Sequence, residues 1–236
     1  MKDEQTLVRD IFLPSRTGSR SLSTALAART GSGKTELLSH LIREARKDEA
    51  FKETRFIYVS IKQEQRFGEK SPIVDNIPDM LKAMSKEPIV SYYPKDPEFY
   101  EVDLDEIIET IFSIADDVEG GIVLVIDDAN VIKGFDSRAQ PSPAVKKLTI
   151  AGRSKGIRGM FITHRIGMLP RLMNGNLSGL LLMSISGMDL DYGKKIFGLD
   201  FEPLLPELTD YRWAYVDLID EQTYRFNPVP LKKTRS

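Results

Sequence analysis

Residues 36–46 carry Leu37, Leu38, Leu41, Ile42 and Ala45 at the spacing of one helical face, and this pattern predicts an amphipathic helix. Immediately upstream, residues 22–27 form a short apolar run that reads as a strand of weak propensity, giving the order strand, loop, helix. The stretches 55–61 (RFIYVSI) and 88–93 (PIVSYY) are dense in β-branched and aromatic residues and predict two further strands. Between them lies a polar connector, 64–86, with a helix near 77–84. Residues 104–115 return to helical spacing until Gly120 and Gly121 break it. Residues 122–126 are then apolar at every position, which suits a strand buried on both faces of a parallel sheet. A loop follows at 133–143, then a helix near 144–152 and strands at 157–163 and 177–185. Residues 212–218 and 223–226 read as a hairpin at the sheet edge. Strands alternating with helices predict one α/β domain, a mostly parallel central sheet flanked by helices. It is expected to span 22–227, between an N-terminal extension at 1–21 and a basic tail at 228–236.

The composition agrees with a packed domain. Of 236 residues, 41% are apolar and 29% charged, a balance that excludes a disordered or fibrous chain. The net charge of −2 provides no global positive field, so any contact with nucleic acid must be local. Without cysteine there is no disulfide, thiolate metal site or Cys nucleophile, and His40 and His164 are too few for a His-rich zinc site. No run of about 18 apolar residues is present, and residues 1–10 lack the apolar stretch of a signal peptide. The expectation is a cytoplasmic protein with no stable membrane insertion.

The loop between the first strand and its helix carries chemistry. In Ala28-Arg29-Thr30-Gly31-Ser32-Gly33-Lys34-Thr35 the last three residues match G-K-[ST] and lead straight into the helix. Gly31 and Gly33 free backbone N–H groups to face phosphate oxygens, Lys34 reaches the β and γ positions, and the Thr35 hydroxyl suits Mg²⁺. The expected nucleotide-binding set is Thr30, Gly31, Ser32, Gly33, Lys34, Thr35 and Glu36. Ala28 stands where the pattern has its first glycine, and its methyl is tolerated if φ there is negative.

Phosphate chemistry also needs carboxylates at the tip of a neighbouring strand, and 121–128 (GIVLVIDD) supplies them. Asp127 is the candidate to hold Mg²⁺ and Asp128 the candidate base or water-orienting group, unless the pair only turns the strand into a loop. The long separation from Lys34 suits the RecA-like, additional-strand division of P-loop NTPases, in which an extra strand divides phosphate loop from acidic strand. The strand at 157–163 ends in Thr163-His164-Arg165, where a γ-phosphate sensor would sit. Arg153, before that strand, is either a solvated surface residue or an arginine finger for a neighbouring subunit.

Taken in order, ARTGSGKT, IVLVIDD and GRSKGIRGMFITHR resemble the FtsK/HerA superfamily of DNA-pumping ATPases, and most closely its viral genome-packaging branch. The match covers roughly residues 22–218. Ser154 stands for a family His and His164 for a family Gln, whereas Arg153 matches. The resemblance implies ATP hydrolysis with Mg²⁺, a homo-oligomeric ring, expected to be a hexamer, around double-stranded DNA, and capsid or membrane-vertex partners. It also implies a place in the host cytoplasm or at a packaging vertex of the virion. Lys133, Arg138, Lys146 and Lys147 form the best local basic candidate for backbone contact with DNA, with Arg16, Arg20, Lys232 and Lys233 behind them; such clusters are also ordinary solvated faces. Two other readings stand beside the motor. A phage assembly or extrusion ATPase would usually carry a membrane span. A P-loop small-molecule kinase would need an arginine-rich lid, and no compact lid is present.

Overall fold

The protein is described by a computed structural model for residues 3–16, 22–62, 71–129, 141–173 and 175–228. Its centre is a nine-stranded sheet. In chain order the strands are β1 (Ser23–Ala28), β2 (Arg55–Val59), β3 (Ile73–Val74), β4 (Ile89–Tyr92), β5 (Ile122–Ile126), β6 (Ile157–Thr163), β7 (Leu177–Met183), β8 (Trp213–Asp217) and β9 (Gln222–Phe226). Across the sheet they run β3-β4-β2-β5-β6-β1-β7-β8-β9. All pairs through β7 are parallel, while β8 and β9 close the edge as an antiparallel hairpin.

Helices cover both faces. Helices α1 (Glu4–Phe12) and α2 (Lys34–Ala45) pack on one side, burying Leu7, Phe12, Leu37 and Leu41 against Leu26, Phe56, Val125 and Ile162. On the other side lie α3 (Ile77–Met84), α4 (Tyr100–Ile114), α5 (Pro143–Ala151) and α6 (Gly187–Phe197). There Met80, Leu104, Ile108 and Leu148 meet Ala27, Ile57, Leu124 and Phe161. Because strand side chains alternate between faces, an all-buried sequence such as 122–126 feeds both cores at once. β1 is poor in β-branched residues, yet it sits between β6 and β7, where tertiary pairing overrides its weak propensity.

Helix α1 was not among the elements expected from the sequence. Its charges conceal Leu7, Val8, Ile11 and Phe12, which share one buried face, and Asp3 caps its start by accepting from the Thr6 N–H at 2.7 Å. Arg158, fully buried on β6, fixes the exit of this helix: its guanidinium donates to the Leu13 carbonyl (3.2 Å), the Asp10 carbonyl and Ser178 Oγ (2.9 Å). The short β3 and helix α6 were likewise unforeseen. At the hairpin edge Trp213 stacks on Phe226, with ring centroids 4.2 Å apart. Among the described residues no helix is long and apolar enough to cross a membrane.

Candidate functional site

The strand order places every candidate tip on one edge. β1 ends at Ala28, β6 at Thr163 and β5 at Ile126 beside Asp127, and the parallel register pairs Ala27 with Thr163 and Ile126 with Phe161. β6 therefore separates the phosphate loop from the acidic strand. The strands that intervene in sequence, β2 to β4, lie beyond β5 instead.

Ala28 is the last residue of β1, an extended position with negative φ, so its methyl is accommodated. Gly31 and Gly33 have φ of 78° and 89°, left-handed values that suit glycine. Gly33 caps α2, which begins at Lys34, two residues earlier than the apolar pattern indicates. Thr35 and Glu36 occupy the first turn, where the free N–H groups and the helix dipole favour an anion. Ser32 Oγ donates to the Arg29 carbonyl at 2.6 Å, closing the loop on itself.

Lys34 Nζ donates to the carbonyls of Ala28 (3.0 Å) and Arg29 (3.2 Å) and lies 3.3 Å from His164 Nδ1. Burial pushes its pKa down, against the pull of Asp127 and Asp128. His164 Nδ1 is also 3.3 Å from Thr30 Oγ1, and its Nε2 is 3.2 Å from Asp128 Oδ1. An ammonium only donates, so Nδ1 must accept, and the proton of a neutral ring sits on Nε2, aimed at Asp128. Burial first, then the Lys34 charge, holds the His164 pKa below its ordinary value and keeps that neutral form at pH 7. Thr163 is buried and its hydroxyl donates to the Arg165 carbonyl at 3.3 Å, so His164, rather than Thr163, reaches the loop. Asp189 holds this turn by accepting from Ile166 N (3.0 Å) and Ser186 Oγ (2.6 Å) at the start of α6.

Asp127 and Asp128 are 8% and 3% exposed, so neither is an ordinary surface cap. Asp127 Oδ2 accepts from Tyr58 OH at 2.5 Å and Oδ1 from the Asp128 N–H at 2.8 Å, while its carbonyl accepts from Tyr100 OH at 3.0 Å. Burial raises the Asp127 pKa; the Tyr58 bond opposes this and the Asp128 charge adds to it. Burial also pushes Tyr58 and Tyr100 well up, so both remain donors. Asp128 adopts φ of 48°, a left-handed conformation that Asp tolerates better than most residues, and forms a 2.8 Å ion pair through Oδ2 with Lys62. Tyr58, Tyr100 and Lys62 were missed by the sequence reading. Lys62, just past the end of β2 and beside the acidic strand, was the one that strand-tip position alone would have flagged.

A buried carboxylate whose charge is incompletely compensated suits a hard cation, and the Thr35 hydroxyl adds an oxygen donor. No group of three or more His, Cys, Asp or Glu among the described residues forms a metal cage.

The remaining candidates lie elsewhere. Arg153 is exposed and precedes β6 at the end opposite the phosphate loop, a strand length of about 20 Å away. Lys146 is exposed on α5, whereas Lys147 pairs with Glu109 at 2.5 Å and lies over the Phe112 ring. Arg16 pairs with Asp116 at 2.9 Å. Lys133, Arg138, Arg20, Lys232 and Lys233 lie outside the described residues.

A mostly parallel sheet, a glycine-turned loop opening a helix, and acidic residues two strands away define the P-loop NTPase fold. Solved structures agree. The genome-packaging NTPase B204 from Sulfolobus turreted icosahedral virus 2, in complex with ATP-gammaS, superposes with a TM-score of 0.72 at 17% identity, covering 88% of this chain and 97% of that one. B204, the DNA-packaging ATPase from Sulfolobus turreted icosahedral virus, gives 0.67 at 18% identity over 88% and 98%. The pCW3 conjugation coupling protein TcpA with ATPgS gives 0.56 at 15% identity over 86% of this chain and 59% of that chain. No family profile and no curated protein sequence matches the chain. At these identities the likeness establishes the fold.

Proposed function

We propose that this chain is an Mg²⁺-dependent ATPase that drives double-stranded viral DNA into a capsid, acting as a ring of identical subunits. The observation that carries the reading is the chain of contacts Lys34–His164–Asp128, which joins phosphate loop, central strand tip and acidic strand in one network. The likeness to B204 over nearly its whole length and the FtsK/HerA-like order of motifs support packaging over other uses of the fold.

On this reading Lys34 leaves the Ala28 and Arg29 carbonyls for the β and γ oxygens when triphosphate arrives. Thr35 and Asp127 would hold Mg²⁺, which supplies neutralising charge on the phosphates. Asp128 orients the attacking water and takes its proton. His164, held by both Lys34 and Asp128, senses whether the γ position is filled. Arg153, remote from its own loop, acts in the neighbour's site, and exposed Lys146, with Lys133 and Arg138, contacts the DNA backbone. Capsid or membrane-vertex proteins would anchor the ring.

The deciding measurement is ATPase rate with and without long double-stranded DNA, alongside mass in solution. DNA stimulation and a nucleotide-dependent ring are expected. A monomer indifferent to DNA under every nucleotide sinks the motor reading and leaves a small-molecule kinase as the better account.

A further inference from the structure

The groups that would meet the γ-phosphate all lie on the β6 and β5 side of the loop: His164, Asp127, Asp128 and Lys62. A triphosphate threaded through the loop therefore sends its nucleoside end the other way, toward β7 and β8. On that side Tyr211 reaches over the loop. A Cβ built on Gly33 would lie 2.9 Å from Tyr211 Cδ1 and 3.4 Å from its Cε1, so the ring already rests against the start of α2.

The backbone that delivers this ring is unusual. Asp210 and Tyr211 have φ of 51° and 64°, two consecutive left-handed residues neither of which is glycine. A bulky side chain in that region is an outlier, and such conformations persist where the surroundings impose them and concentrate at ligand sites. The ring is not held there by burial, since Tyr211 is 42% exposed. The residues that follow it in the chain, Arg212 and Trp213, line a cavity of about 530 Å³ with Leu204, Leu208 and Phe226, a volume within the range of small-molecule pockets.

We propose that Tyr211 is the nucleoside platform of this site: its ring covers the ribose and stacks on the base, which projects toward the cavity lined by Arg212 and Trp213. The inference rests on the nucleotide-binding reading of the phosphate loop. A π-face accepts any base, so this contact adds affinity for nucleoside over bare polyphosphate. It also gives Gly33 a second duty, because any side chain there would displace the ring.

The test compares Mg²⁺-supported binding of ATP and of inorganic tripolyphosphate by titration calorimetry, in the wild type, Tyr211→Ala and Tyr211→Phe. Tyr211→Ala is expected to lose on the order of ten- to a hundredfold in ATP affinity while keeping tripolyphosphate within about twofold. Tyr211→Phe, which keeps the ring, should stay near wild type for both. Equal losses for both ligands would make the ring a brace for the loop, and no loss for either would make it a bystander; each result overturns the proposal. A wild type that binds tripolyphosphate and ATP equally also overturns it while leaving the phosphate loop intact. If the wild type binds neither, the underlying nucleotide reading falls and takes this inference with it.

Discussion

His164 is held from two sides, and its protonation state decides whether both contacts survive. As a neutral ring it accepts from Lys34 and donates to Asp128; a second proton on Nδ1 would face the Lys34 ammonium. Its pKa lies below the ordinary 6.5, so the unfolded chain takes up this proton first as pH falls. The burial cost is absent above about pH 6.5 and grows below it, and ATPase activity should decline over the same acid range. A pH–rate profile checks this: His164→Gln, which retains an acceptor and a donor without titrating, should flatten the acid limb. An unchanged limb assigns it to another group. Replacing Lys34 by Ala should abolish nucleotide binding in an equilibrium assay. Asp128→Asn should instead bind ATP and slow turnover by roughly a hundredfold or more. Normal turnover in Asp128→Asn would remove Asp128 as the base. Gly31, Gly33, Lys34 and the two aspartates were legible in the sequence because their chemistry lies in residue type and close spacing. Tyr58 and Tyr100 were not, because each reaches the site only through strand and helix packing across long stretches of chain, whereas Lys62 was missed although it follows the tip of β2.

At the scale of elements, the strands were readable wherever an apolar run had clear flanks, as at 122–126 and 157–163. Helix α1 was hidden because four apolar residues among charges carry a weak periodic signal, and its stability comes from what it covers. Phe12 is fully buried and meets Phe56 edge-on at 5.8 Å. Phe12→Ala should therefore destabilise the fold by about 3–5 kcal/mol, read from the urea midpoint. A loss under about 1 kcal/mol would show α1 to be an ornament rather than part of the core. α1 packs along α2, whose first turn opens the phosphate site, and Glu4 lies 2.5 Å from His40 on α2. Helix α6 escaped notice because Gly187 and Gly193 interrupt its pattern; Gly193 is required because a Cβ there would strike the Phe201 ring at 2.4 Å.

The whole molecule has its two sets of charged candidates at opposite ends of the sheet, the phosphate loop at one and Arg153 at the other. No single subunit can bring them together, so the proposed role of Arg153 requires a neighbour. Arg153→Ala and Lys34→Ala should each be inactive alone, and mixing them should restore part of the ATPase rate as hybrid assemblies form. No recovery on mixing would return Arg153 to the solvated surface. The edge hairpin has a different consequence. Trp213 is the only tryptophan in the chain, and it stacks on Phe226 at the wall of the cavity that Arg212 also lines. Its emission spectrum is thus a built-in optical probe of that one wall, free of background from any other indole, so the proposed arrival of a base there can be tested in stopped flow on the unlabelled protein.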